Sequence, residues 1–304
     1  MNNFQTLNWI GIIDNTFSVY RKYLRLFIAI ALIFSIVMWI KGYLSQYFWE
    51  NNIYDWLSYI IGELLYEWML GVLVVAATQA YFNKQITIKK AFIQFIQVYP
   101  RYLTTQLIYI VPSMLPSVAG EILTEVPIVS LTVYIIAYVL IYLVCIYFLT
   151  TWRLYPPAII VEGNIESSMK LKPLRRSNKL VKNSWWRIFG TLFALKTLLR
   201  AIRLVCVVSA VLIIGACGFI ENTLEVAEYA IRSETGLFWG YTFPSIKFTT
   251  RTLLWGLKIA TGIITEPIFA SGITLIYFNQ QIHREAFDSE MTALQDDTLR
   301  PQPK

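Results

Sequence analysis

Residues 128–150 read IVSLTVYIIAYVLIYLVCIYFLT, without a single Asp, Glu, Lys or Arg. About 20 apolar residues in helical form cross the roughly 30 Å hydrocarbon core of a bilayer. This run has that length and no polar face to turn toward water. A soluble core could not hide it together with the rest of the chain. Of 304 residues, 56% are hydrophobic, 15% aromatic and only 15% charged, and the mean hydropathy is +0.52. Typical soluble domains carry about 25% charged residues. Lipid is the solvent for most of this chain.

Five further spans flank that run, giving six in all: 24–40, 57–82, 103–118, 128–150, 204–220 and 252–278. The third is the weakest, because Pro112 and Pro116 interrupt it. The first is not a cleaved signal peptide, since no small-residue cleavage site follows and the exit reads MWIKGYL. The expected fold is an all-α, polytopic membrane bundle. It comprises one membrane domain over 1–290 and a polar tail, 291–304, expected to be disordered.

The cations alternate in sidedness. On one side lie Arg21, Lys22, Arg25; Lys84, Lys89, Lys90, Arg101; Arg153, Lys170, Lys172, Arg175, Arg176, Lys179, Lys182, Arg187; and Arg284, Arg300, Lys304. The opposite loops hold only Lys41, Arg232, Lys247 and Arg251, and several acids, Glu121, Glu125, Glu221, Glu225 and Glu228 among them. The positive-inside rule then places both termini in the cytoplasm of a bacterial inner-membrane protein. The net charge of +7 borders apolar runs, so its expected partners are anionic lipid headgroups and not nucleic acid.

Each inward-to-outward span follows a similar lead-in: NTFSVYRKYLRLFIAI, AFIQFIQVYPRYLTTQL and SNKLVKNSWWRIFGTLF. Their basic–aromatic corners, Lys22, Arg101 and Arg187, suggest three units of interfacial helix plus hairpin. The segment SSMKLKPLRRSNKLVKNSWW reads as a basic amphipathic helix on the membrane surface, with Leu171, Leu174 and Val181 toward lipid. Its Lys170, Lys172, Arg175, Arg176, Lys179, Lys182 and Arg187 are the candidate headgroup contacts.

Charges at membrane depth are the other candidates. Lys196, Arg200 and Arg203 share one helix face. Holding all three at mid-bilayer would cost roughly 9 kcal/mol at about 3 kcal/mol each, so they are expected to snorkel to the cytoplasmic boundary. Glu63 and Glu67 are expected near the outer interface. Glu266 sits mid-span and precedes Pro267, which frees backbone carbonyls. It must be protonated, paired or hydrated, with Lys258 or a span-five cation as partner. The alternatives are a buried pair that fixes the bundle and a lined cavity.

No glycine-rich phosphate loop, Ser nucleophile elbow, HExxH or CxxC motif occurs. Three scattered cysteines and one histidine make neither a zinc site nor a disulfide framework. No catalytic constellation, metal or cofactor is expected.

Two segments resemble the glycerophosphoryl diester phosphodiesterase membrane-domain family. In RLYPPAIIVEGNIESSMKLKPLRRSNKLVKNSWWRIFG, the positions are Pro157, Glu162, Arg176, Ser177 and Trp186. In IYFNQQIHREAFDSE, they are Tyr277, Phe278, Ile282, Arg284, Glu285, Phe287, Asp288 and Glu290. The departures are Asn279 for an acid, Gln281 and His283 for arginines, Ala286 for glycine, and a longer loop between Glu162 and Ser177. The soluble barrel that some relatives carry is not part of this sequence, so the resemblance implies a membrane bundle and no phosphodiesterase activity. The expected role is a non-enzymatic membrane module that organises a protein partner or engages lipid. The alternative is a small permease whose path runs past Glu266, Pro267 and the span-five cations.

Overall fold

The computed structural model describes residues 7–47, 52–82, 84, 86–125, 131–162, 172–218, 223–235 and 248–299. Every element among them is a helix: α1 (Trp9–Lys22), α2 (Leu24–Tyr47), α3 (Asn52–Tyr81), α4 (Ile88–Glu125), α5 (Leu131–Trp152), α6 (Tyr155–Glu162), α7 (Lys172–Val181), α8 (Trp185–Ala216), α9 (Thr223–Thr235) and α10 (Phe248–Leu299). This is the one open structure a chain can adopt in hydrocarbon, because each helix satisfies its own N–H and C=O groups. Five stretches are long and apolar enough to cross a bilayer: Leu24–Gly42, Ile60–Tyr81, Ile135–Val161, Trp185–Ala216 and Thr252–His283.

The count of six is not reached among the described residues. The expected third span lies within α4, which is long enough, but Thr104, Thr105, Gln106, Pro112, Ser113 and Pro116 dilute its apolarity. Its prolines do not interrupt it either. Hydroxyls bond back to carbonyls of the preceding turn, Thr105 to Arg101 at 2.9 Å and Ser113 to Ile110 at 2.7 Å, which satisfies their protons within the helix itself.

The chain divides into two compact units: residues 1–16, 96–191 and 272–304, and residues 17–95 and 192–271. In the second unit α2 packs on α3, with Phe34 meeting Trp68 edge-on, and Phe27, Ile30, Ala31 and Phe34 form one buried stripe. From Met69 to Ala77, α3 is buried on almost every side. In the first unit the all-round buried stretch is Ile273–Gln280 of α10, while α7 packs on α5 and α6. The outer helices invert the soluble pattern. On α5, Ile136, Leu140, Leu143 and Val144 are all more than half exposed. An apolar surface this continuous faces lipid.

Three expectations change here. The repeat of three lead-in helices fails: the chain breaks between α1 and α2 and between α7 and α8, but α4 runs straight through Arg101. The basic side chain there ends nothing, and Pro100 beside it lies within the helix without ending it. Into the tail, expected to be disordered, α10 continues as far as Leu299. Residues 285–299 contain neither Gly nor Pro, and Pro301 disfavours helix in the residue before it. Third, α7 does not lay its apolar face on lipid. Leu174 and Val181 are buried within the first unit, and Ser177 Oγ donates to the Thr151 carbonyl at 2.6 Å. Leu171 lies outside the described residues.

Close helix packing rests on glycine at Gly71, where a Cβ would collide with the ring of the fully buried Phe95. Small residues allow such approach between membrane helices. Gly71→Val is expected to cost about 1–3 kcal/mol by overpacking. Gly256→Ala meets no atom within 4 Å and is expected to be neutral or slightly stabilising. Thermal unfolding in detergent checks both.

Candidate functional site: an intramembrane ion pair and a basic boundary cleft

In the second unit, α8 and α10 run antiparallel, as three contacts at successive levels establish. Val211 shares a buried cluster with Leu254, Arg203 meets Glu266, and Lys196 Nζ lies 5.4 Å from the Phe269 ring centroid. At the middle level, Arg203 Nη2 donates to Glu266 Oε1 at 2.7 Å and to Thr265 Oγ1 at 2.8 Å. Tyr66 of α3 donates its phenol proton to the other carboxylate oxygen at 2.8 Å. Both oxygens of Glu266 therefore have protein donors, from two other helices. The side chains are 26% and 15% exposed for Arg203 and Glu266, so the pair is largely desolvated and its charge-assisted bonds are strong.

The partner supplied to Glu266 is thus the span-five cation Arg203. This differs from the expectation that Arg203 snorkels, since its guanidinium is turned toward a buried carboxylate. Arg200 and Lys196 are exposed on α8. Lys258 lies two turns before Glu266 on α10, where its carbonyl accepts from Thr261 Oγ1 at 2.9 Å. Pro267 is buried, and its carbonyl accepts from Ser271 Oγ at 2.9 Å. Glu67, expected near the interface, is only 2% exposed. Tyr66 and Thr265 escaped the sequence reading, since hydroxyl residues are common in spans. The one available signal for Tyr66 was its place between two intramembrane acids.

The first unit carries a different polar site, at the turn between α7 and α8. A cleft of about 720 Å³ is lined by Tyr147, Lys182, Asn183, Ser184, Trp185, Trp186 and Arg187. Trp185 stacks on Tyr147 at 5.8 Å and on Phe189 at 5.0 Å, which levels the end of α5 with the start of α8. Lys182 and Arg187 are exposed, and Arg187 Nη2 also donates to Gln280 Oε1 of α10 at 3.2 Å. Arg175 and Lys179 are exposed on α7, while Arg176 is half-buried. Lys170 lies outside the described residues, as does the side chain of Lys172. Arg153, counted with the boundary cations from sequence, is instead buried: its Nη1 donates to the Tyr109 hydroxyl at 3.1 Å.

The two family-like segments occupy this unit. Pro157 lies in the first turn of α6, where a missing N–H costs nothing. Tyr277 is fully buried and meets Phe278 edge-on. Asn279 clamps the backbone of Leu7: its Oδ1 accepts from Leu7 N at 2.9 Å, and its Nδ2 donates to Leu7 O at 3.3 Å. A carboxylate could only accept, so the departure from the family's acid has a local use. Arg284, Glu285, Phe287, Asp288 and Glu290 lie on α10, with side chains outside the described residues. Comparison with family models, curated proteins and solved structures returns no match.

Glu266→Gln is expected to destabilise the protein in detergent by about 3 kcal/mol, because it strands a desolvated guanidinium. Joined with Arg203→Gln, the loss should fall short of the summed single losses by at least about 1 kcal/mol, the signature of direct coupling. Additive losses in a double-mutant cycle would show that the contact carries no energy.

Proposed function

We propose that this chain is a non-enzymatic module of a bacterial cytoplasmic membrane, with both termini cytoplasmic, that engages anionic lipid at its cytoplasmic boundary. The observation that carries this reading is the contrast between the two polar sites. The carboxylate at depth is neutralised by Arg203 and hydrogen-bonded by Tyr66, which suits a fixed joint better than a site that must release cargo. The boundary cations Lys182 and Arg187 stand exposed beside tryptophan, the pairing that anchors proteins at headgroup depth. Membership of the glycerophosphoryl diester phosphodiesterase membrane-domain family is part of this proposal, resting on the two segments above. So is a sixth crossing by α4, whose buried Thr105 and Gln106 turn the polar residues of that helix inward.

Topology is read by cysteine labelling after replacing the free Cys145, Cys206 and Cys217. An impermeant maleimide is expected to mark Glu225→Cys from outside intact cells, and to mark Ser167→Cys and Thr298→Cys only after permeabilisation. The reverse pattern inverts the orientation. Lipid engagement is read from protein extracted with its surrounding lipid in copolymer discs. The anionic share of that lipid is expected to exceed the share in the bulk membrane, and equality would remove the reading.

A further inference from the structure

We propose that the α7–α8 cleft is a binding site for the phosphate of one anionic glycerophospholipid, whose acyl chain lies along α5. The inference rests on the lipid-engaging reading above and goes further, assigning it to a discrete pocket.

Charge is the first argument. From residue 167 to 220 the chain has ten Lys and Arg and not one Asp or Glu. The cations that line or flank the cleft therefore have no acid within their own stretch of chain. Lys182 offers three donors and Arg187 a planar fork, the two chemistries that hold a phosphate.

Shape and polarity are the second. The pocket is a cleft of about 720 Å³ with Tyr147, Trp185 and Trp186 as walls. Trp186 is 78% exposed despite its large apolar ring, a position that suits the headgroup layer and not bulk water.

The third argument separates a lipid from free phosphate. Tyr147 lines the cleft, and one, two and three turns back along the same face of α5 stand Val144 and Leu143, Leu140 and Ile136, all more than half exposed. A ligand whose head sits between Lys182 and Arg187 finds a continuous apolar track for its tail. A bare phosphate would use the head alone.

Native mass spectrometry of the full chain in detergent, titrated with phosphatidylglycerol or phosphatidylcholine, tests this through the affinity of the first bound lipid. Wild-type protein is expected to prefer phosphatidylglycerol, and Lys182→Ala and Arg187→Ala are each expected to weaken its binding about five-fold, the worth of one cation near a charged membrane surface. Lys182→Arg should retain binding. The control pair Lys89→Ala and Lys90→Ala removes the same charge from the exposed start of α4 and should leave binding within two-fold. If the control pair weakens binding as much as the cleft pair, lipid engagement stands but the discrete site falls. If wild type shows no preference at all, the lipid-engaging reading falls with it. Displacement of phosphatidylglycerol by millimolar inorganic phosphate would overturn the lipid as occupant.

Discussion

Inside a bilayer no water completes an unfinished hydrogen bond, and this constraint shapes each part of the molecule. It leaves the backbone helix and little else, which is what every described element is. It also governs the side chains. Thr16, Thr105, Ser113, Thr191, Thr265 and Ser271 all return their hydroxyl protons to carbonyls three or four residues earlier. A soluble helix would offer those groups solvent. Here the chain becomes its own solvent.

The same constraint explains why Arg203 and Glu266 occur as a pair. Either alone would carry an uncompensated charge into low dielectric, a loss of several kcal/mol. Together they roughly break even with apolar residues of the same size, so the pair is poorly explained as a source of stability. Register explains it better. Helices α8 and α10 meet through Val, Leu and Ile contacts that a slip of one turn, about 5.4 Å, would largely reproduce. A slip would separate Arg203 from Glu266 and leave both charges stranded. Thr265 and Tyr66 sharpen this further, because they fix the rotation of both partners and tie α3 to the same level.

Much of this was legible in the sequence, and the boundary of legibility has physical causes. A charge-free run such as 128–150 can be stable only in lipid, so class and helicity follow from composition. Glu266 announced itself because a carboxylate at depth needs a partner, and the supply of cations on the neighbouring span was short. Tyr66 and Thr265 gave no such sign, since a hydroxyl is cheap wherever it falls. The orientation of α7 was misread for a related reason. An apolar stripe at helical spacing tells that one face is buried, but lipid and protein look alike to Leu174 and Val181. The contacts of α7 with α5 and α6, and the Ser177–Thr151 bond between residues 26 apart, decide that the stripe packs on protein. The lead-in repeat failed at Arg101 because a basic–aromatic corner marks membrane depth, and depth by itself does not bend a helix.

Where charge remains after the protein has satisfied itself is the best guide to where it meets something else. At depth the charged groups have met partners within the protein: Glu266 accepts on both oxygens, and Arg153, though buried, lies against Tyr109. At the α7–α8 turn the balance is reversed, because seven cations fall within residues 167–195, a stretch of 29 that holds no acid. Self-repulsion among them is a standing cost, lowered by screening in water and more effectively by an anionic surface. A sequence free to lose that cost would have interleaved a few acids, as exposed helices commonly do. Keeping the stretch purely basic, while sinking tryptophan beside it, makes sense for a surface whose neutralising charge arrives from the membrane.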